Sequence, residues 1–407
     1  SLYEADDRLG GHADTHQVTV DGQTLQIDTG FIVHNDRTYP TLIRLFDDLG
    51  VVTQESDMSM SVRCDRTDLQ YAGAKGALGI FAQPKSLVRP QYLRMLAEIV
   101  KFHRMAKALL AEQSTGPDQT LEAFLDDGGF SEYFKTFFMT PVVAAVWSCD
   151  PASALHYPAR YLLAFLNNHG MLNVTGSPTW RTVVGGSKQY VQKIAANIGD
   201  IRLSSPVASV LESAAGVQIT TVDGHSDTYD CVVIATHPNQ ALKMLTDPSA
   251  VQQEVLSAMP YSSNTALLHT DTSILPTAKA ARASWNYLRP DAAMPQGQVT
   301  VSYDMTRLQR LPVVGGRRFI VTLGGAQLVD PNTIIEQMHY EHPIYTPSSV
   351  AAQQRLPLIN TDRIVFAGAY HGWGFHEDGA LSGLRAAQRL GARWETNSPA
   401  SAAELAA

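Results

Sequence analysis

The stretch Ile364 to Ala387, IVFAGAYHGWGFHEDGALSGLRAA, decides how this chain folds. It opens on Ile364-Val365-Phe366-Ala367, a short apolar run of the kind that forms a buried strand. A glycine-rich turn follows, carrying Gly368, Gly372 and Gly374, two histidines, His371 and His376, and two acids, Glu377 and Asp378. Asp378 marks a helix start, and the helix is expected from near Gly379 to about Leu390. Gly379-Ala380-Leu381-Ser382-Gly383 keeps side chains small where a helix must approach a ligand. The free N–H groups and dipole of a helix start favour a phosphate or an electron-rich oxygen. A plain strand–turn–helix would not need this concentration of glycine, histidine and acid.

The opposite end reads as a partner to it. Tyr3-Glu4-Ala5-Asp6-Asp7-Arg8-Leu9-Gly10-Gly11-His12 begins as a strand end and runs into a charged glycine turn. In a dinucleotide-binding βαβ unit an acid ends the second strand and takes the ribose hydroxyls. Glu4 stands in that place. Arg8 offsets pyrophosphate charge, and Gly10-Gly11 lets backbone N–H groups come close to phosphates. The G-x-G-x-x-G fingerprint would precede Ser1, so a strand, turn and helix of roughly 30 residues is expected upstream.

Between the ends, Val18–Val20 and Leu25–Asp28 alternate around Asp21-Gly22 and read as a hairpin. Helices are expected over 39–49 with Gly50 as stop, 90–113, 120–125, 131–146, 161–167 and 190–198. In the second of these, Leu93, Leu96, Ala97, Val100, Met105, Leu109 and Leu110 form an apolar stripe. Its simple reading is a core-facing side; the sharper one is a wall of a lipid pocket or a membrane-facing surface. Strands are expected at 201–203, 207–211, 217–222, 265–269, 299–303, 319–323 and 364–367, with Cys231–Ala235 buried on both faces. Gly185-Gly186-Ser187 reads as a turn before a helix, and His237-Pro238 and His342-Pro343 as turns. The tail from Thr396 is rich in Ser and Ala.

Composition narrows the function. Of 407 residues, 44% are hydrophobic and 17% charged, a globular balance. The net charge of −8 disfavours nucleic acid. No apolar run reaches the ~18 residues a membrane span needs, which leaves peripheral contact open. Cys64, Cys149 and Cys231 are too few and too scattered for a disulfide framework or a zinc site, so no metal is expected and a reducing compartment is. Cys149 reads as a buried thiol.

Together, YEADDRLGGHADT, DTGFIVHN with TYP, WRTVVGGSKQYV, VVIATHP and AGAYHGWGFHEDGALSGLRAA resemble the flavin-containing amine-oxidase-like oxidoreductases. Within that family the chain is similar to NAD/FAD-binding proteins related to the FAD domain of plant cyclopropane fatty acid synthases. The resemblance implies an α/β fold, a Rossmann-like FAD-binding domain with a mixed helical and β-sheet substrate domain. The first would combine 1–60, 181–250 and 355–395, the second 61–180 and 251–354, with 396–407 as a tail. It implies FAD as cofactor. Glu4 would meet the adenosine ribose, and Arg8, Gly10, Gly11 and His12 the pyrophosphate and ribityl chain. Thr29, Gly30 and Phe31 would pass beside the ring, and Val207 would hold the adenine. Gly368, Asp378, Gly379 and Ala380 would meet the remaining flavin contacts. His371 and His376 are the candidate catalytic pair, with His12 and His34 also on the flavin side; Trp373 and Phe375 would line the pocket. His12 stands where many amine oxidases have arginine, and HGWGFHEDG differs from the aromatic-lined turn of monoamine oxidases, two departures that point away from amines. The similarity to proteins of fatty-acyl modification implies an apolar substrate such as an unsaturated fatty acyl chain. A flavin amine oxidase and a non-catalytic flavoprotein partner of a lipid methyltransferase are the alternatives. The implied setting is cytoplasmic, with contact at the membrane periphery.

Overall fold

The computed structural model describes residues 1–112, 118–147, 149–173, 176–291 and 300–394. Its largest sheet has seven strands, in the order Ile334–Pro343, Tyr261–His269, Ile320–Leu323, Thr300–Asp304, Trp285–Arg289, Met60–Cys64 and Leu69–Ala72. All neighbours are antiparallel except Trp285–Arg289 with Met60–Cys64. That parallel join stitches an early hairpin onto strands from the second half of the chain. Helices from 90 to 168 pack on the sheet, where Tyr92, Phe102, Phe134 and Leu162 share one core with Val62, Tyr71, Leu268 and Val321.

The hairpin Thr15–Val20 and Gln23–Asp28 turns at Asp21-Gly22 as its alternation requires. It sends Val18, Val20, Leu25 and Ile27 into the same core. The helix Pro40–Leu49 ends at Gly50, whose φ of 60° is the left-handed cap expected there. A smaller core lies between the antiparallel sheet Val207–Ser213, Gly216–Thr221, Ser226–Tyr229 and the helices Pro238–Met244 and Ala250–Ser257. Two parallel pairs complete the α/β part: Leu2–Tyr3 with Ile201–Arg202, and Val232–Ile234 with Ile364–Phe366.

Five expectations need correction. The Pro90–Ala111 helix buries Tyr92, Met95, Glu98, Phe102 and Ala106, while Leu93, Ala97 and Val100 face outward. The buried face carries both aromatics, which bring the most apolar area, and Tyr92 donates its hydroxyl to the Ile80 carbonyl at 2.6 Å. The helix expected over 131–146 is broken into Glu132–Phe134, a π-helical turn Lys135–Met139 and Thr140–Trp147. Pro141 has no N–H for the Phe137 carbonyl, and the Tyr71 hydroxyl takes that carbonyl instead at 2.7 Å. The strand Val232–Ile234 is not buried on both faces, because Val233 stays 41% exposed. His342-Pro343 is no turn: it closes the edge strand Ile334–Pro343, where a proline costs no interior ladder bond. The last helix begins at His376 and not near Gly379, for a reason that belongs to the site.

Candidate functional site

The N-terminal strand sets the first part of the site. Glu4 N–H donates to the Arg202 carbonyl at 2.9 Å, and Ser205 N–H to the Glu4 carbonyl at 2.8 Å. Glu4 and Val207, which starts its strand at the end of Ser205-Pro206, are thereby brought together. The Glu4 carboxylate accepts from Asp6 N–H at 3.0 Å. Arg8 donates to the Gly11 carbonyl and pairs with Asp14, both at 3.0 Å, and so braces the Gly10-Gly11 turn. Gly10 has φ 113°, and a Cβ there would lie 2.4 Å from the Ala13 carbonyl oxygen. Gly30 is equally constrained, since its Cβ would sit 2.1 Å from the His12 oxygen that receives Phe31 N–H. Segments 10–14 and 29–31 are therefore locked against each other.

Around that lock lies a polar knot assembled from distant segments. The Tyr340 hydroxyl donates to Asp14 at 2.8 Å, and Thr29 lies 2.6 Å from the same hydroxyl. Because the tyrosine proton is spent on Asp14, Thr29 is the donor in the second bond. The His12 ring packs 5.1 Å from Tyr340, 5.6 Å from His342, 5.8 Å from His237 and 5.9 Å from Phe31. His237 Nδ1 meets Glu341 at 2.9 Å, and Asn264 donates to His342 Nδ1 at 3.0 Å, which leaves the His342 proton on Nε2. Burial, then the charge of His237 and Arg8, pushes His12 down to about 4; burial, then His12 and His237, pushes His342 down to about 3. Burial alone would raise Asp14. The close approach of His16 Nε2 at 3.3 Å, the hydrogen bond from Tyr340 and the charge of Arg8 carry it below its ordinary value instead.

The C-terminal turn meets this knot through Phe31, whose ring lies 4.2 Å from His376. Both acids of the turn are committed to backbone. Glu377 accepts from Thr41 N–H at 3.0 Å and Leu42 N–H at 2.9 Å, and so caps the Pro40–Leu49 helix. Asp378 accepts from Trp373 N–H at 3.0 Å and Phe375 N–H at 2.9 Å. Those bonds fold the turn back on the helix and add its first residues, which is why it starts at His376. The Gly372 carbonyl collects three donors, Tyr161 at 2.8 Å, Tyr345 at 3.0 Å and Gln353 at 2.6 Å. Trp147 donates to the Trp373 carbonyl at 3.2 Å, and Phe375 stacks on Phe165 at 4.9 Å. The helical segment thus grips the turn from outside. Gly368 N–H is held by Ser382, which itself donates to the Gly379 carbonyl.

His371 and His376 have different surroundings. His371 packs beside Tyr370, its Nε2 is buried without a hydrogen-bond partner, and burial together with the Arg385 charge pushes it down to about 4. His376 is pushed down to about 3 by burial and by His34, against a hydrogen bond to the Val33 backbone. His34 itself is held near 4 by burial and Arg181.

The family description "flavin containing amine oxidoreductase" matches residues 1–307. The chain belongs to that family. Solved structures of the same fold include cyclohexylamine oxidase from Brevibacterium oxydans IH-35A, at 16% identity over 95% of this chain and 92% of that one, TM-score 0.67. The CLA-producing fatty acid isomerase from P. acnes matches at 13% identity over 96% and 92%, TM-score 0.67. Reduced UDP-galactopyranose mutase matches at 16% identity over 96% and 88%, TM-score 0.64. No curated protein matches this chain in sequence. This flavin-containing amine oxidoreductase therefore has the family's mixed helix-and-sheet fold and is an oxidoreductase whose family implies a flavin.

The residues of this oxidoreductase fit such a group. Along the last helix, a Cβ added at Gly379 or Gly383 would meet nothing within 4 Å, and Gly11 is equally open. Ala380, one turn before Gly383, packs against the cluster of Tyr39, Phe46 and Tyr190. His371 Nε2, Trp373 Nε1 and the Tyr370 hydroxyl are buried without partners beside the same turn. An open glycine face next to buried polar atoms without partners suits a planar ligand rich in heteroatoms.

Several members of this constellation escape a reading of the sequence. Asp28, fully buried, accepts from Thr15 at 2.6 Å, Ser187 N–H at 2.8 Å, Ser187 Oγ at 2.9 Å and Gln309 at 2.9 Å. It ties the hairpin to the Gly185-Gly186-Ser187 turn, and burial lifts its carboxyl to about 6. Tyr340 and His342 fall on one face of their strand, an alternation that the following Pro343 hides. His237, the residue before a helix, carries no local mark of its partners. Cys149 is a buried thiol, pushed up to about 12 by burial. Among the described residues no group of His, Cys, Asp and Glu is arranged to hold a metal.

Proposed function

We propose that this oxidoreductase uses FAD and acts on an apolar substrate, an unsaturated fatty acyl chain, as a desaturase, saturase or isomerase. The observation that carries the reading is the state of the turn's charges. Glu377 and Asp378 are both spent on backbone amides, and burial holds His12, His34, His371 and His376 well below neutral pH. Such an interior is poor in water and offers a cationic substrate no carboxylate of the turn. The fold serves acyl chemistry in the P. acnes isomerase, which supports the reading without deciding it.

In this reading Glu4 and the Ser205-Pro206-Val207 segment hold the adenosine end. Arg8, Gly10 and Gly11 hold the pyrophosphate, and Thr29, Gly30, Phe31 and the first turns of the last helix border the ring. A bound flavin supplies the two-electron redox chemistry. Phe31, Phe165 and Phe375 exclude water. His371 Nε2, unprotonated and unpaired, holds or moves a proton, and His376 stiffens the wall against Phe31. The protein works in the cytoplasm and meets membranes from outside; among the described residues no helix is long and apolar enough to cross one.

The test is the visible spectrum of the purified protein, followed by anaerobic addition of candidate substrates. Bound oxidised flavin, and unsaturated acyl chains whose double bonds change in mass spectra, are expected. Flavin bleached by amines with peroxide release, and acyl chains left intact, would overturn the substrate. Firm FAD binding without turnover, together with co-purification of a lipid methyltransferase, would make the chain a partner and not a catalyst. Absence of flavin would overturn the whole assignment.

A further inference from the structure

The orientation of the Pro90–Ala111 helix leaves an apolar surface uncovered. Leu93, Ala97 and Val100 share its outward face. Leu87 and Val88 end the 3₁₀ turn Pro84–Val88 that leads into it. Leu78 lies on the neighbouring short helix Gly76–Ile80, which the Tyr92 hydroxyl ties to the long helix through Ile80. Leu78 is 82% exposed, Val88 80% and Val100 63%. Five of the fifteen large hydrophobic residues exposed in the described chain fall between 78 and 100, and the other ten are scattered from Val52 to Leu358. Isolated exposed hydrophobics are ordinary, but a concentration like this one marks an interaction surface.

Charge identifies the partner. Residues 75–107 carry seven Lys and Arg against one acid, Glu98, in a chain of net charge −8. That acid is buried, accepting from Ser131 Oγ at 2.6 Å, Ser131 N–H at 3.1 Å and Arg94 Nε at 3.0 Å. Arg104 is exposed on the helix that presents Leu93 and Val100, and Arg94 is exposed there too while its Nε holds Glu98 at 3.0 Å; Lys101 and Lys107 reach the Gly128 carbonyl and Asn173. Lys85 pairs with Asp68. An apolar patch with a basic rim on an otherwise acidic protein matches an anionic bilayer, whose acyl layer takes leucine and valine and whose phosphates take arginine. A second copy of the chain matches poorly, because a two-fold contact would set two basic rims against each other.

We propose that the surface formed by Leu78, Leu87, Val88, Leu93 and Val100 docks on anionic lipid. Docking is independent of which substrate the flavin site turns over. The experiment is co-sedimentation of the full chain with vesicles of phosphatidylglycerol and phosphatidylcholine, beside vesicles of phosphatidylcholine alone. The wild type is expected to bind the anionic vesicles and to be released by salt. Burying one such side chain contributes about tenfold in partition, so Leu78→Ser with Val88→Ser is expected to lower binding about a hundredfold. Each of Arg94→Glu and Arg104→Glu is expected to cost at least about fivefold. Val222→Ser with Val313→Ser, exposed outside the patch, is expected to leave binding unchanged. Urea unfolding confirms that all variants remain folded, since none of these side chains is buried. A wild type that stays in the supernatant overturns the proposal, as does equal loss in the control pair. So does a dimer, seen by light scattering, that Leu78→Ser with Val88→Ser dissolves while vesicles go unbound.

Discussion

Gly372 and Asp378 should behave as one unit in a double-mutant cycle. Asp378→Ala removes the acceptor for Trp373 N–H and Phe375 N–H. Two half-buried amides left unpaired cost about 3 kcal/mol together, taking the lower part of the usual range for each. Gly372→Ala acts on the same carboxylate from the other side. Its added Cβ would sit 1.9 Å from Asp378 Oδ1 and 2.4 Å from Cγ. The carboxylate must leave, so the same two bonds are lost and the cost is again about 3 kcal/mol. With both changes the bonds are lost only once. The methyl then faces the Cβ of residue 378 at 3.0 Å, a gap that closes with a few tenths of an ångström of movement. The double variant should therefore cost about 3 kcal/mol and not about 6, a coupling of about 3 kcal/mol. Urea unfolding of the four proteins, with m-values checked for constancy, measures it. Strict additivity would refute the reasoning: Gly372 would then be glycine for some cause other than the carboxylate behind it.

Three further outcomes follow from particular contacts. Burial raises the Asp28 carboxyl from 3.8 to about 6, so its ionisation works against the fold. The stability it contributes is full below 3.8 and is lost as pH rises through about 6, an amount of about 3 kcal/mol. The stability difference between wild type and Asp28→Asn should then shrink as pH rises from 4 to 7 in urea titrations, and a difference that widens would contradict this sign. Glu377→Ala should cost about 1 kcal/mol and speed amide exchange at Thr41 and Leu42, the two N–H groups it caps; unchanged exchange there would count against the cap. Gly379→Ala puts a methyl into open space on a helix, so it should stabilise the protein by about 0.5–1 kcal/mol while weakening FAD binding. Equal or tighter FAD binding by the more stable variant would remove the flavin from that face.

What could be read from the sequence was local. Alternation with Asp21-Gly22 predicted the hairpin, and Gly50 the end of the helix before it becomes Val51. The apolar run, glycines and acid after Ile364 predicted strand, turn and helix in that order. Where two local readings were equally good, packing decided. The Pro90–Ala111 helix carries two interleaved stripes, one through Leu93 and Val100 and one through Tyr92 and Phe102, and only the tertiary core distinguishes them. The site was half legible for the same reason. Glycines and acids of the two terminal motifs announce themselves by spacing. The company of His12, by contrast, comes from His237 and His342, whose neighbours in sequence do not mention it. Glu377 and Asp378 could be named as acids in a ligand turn, but not as caps for Thr41, Leu42, Trp373 and Phe375.

The Glu377 cap also orders events in time. The Pro40–Leu49 helix leaves the ribosome early, yet the carboxylate that covers its first amides is made 336 positions after Thr41. The same delay holds for Gln309, which reaches back to Asp28. A nascent chain of this protein therefore carries both sites unfinished until residues 309 and 377 have been made, and these long-range loop closures wait for them. Termination just upstream of residue 377 would leave the Thr41 and Leu42 amides of the Pro40–Leu49 helix without their acceptor.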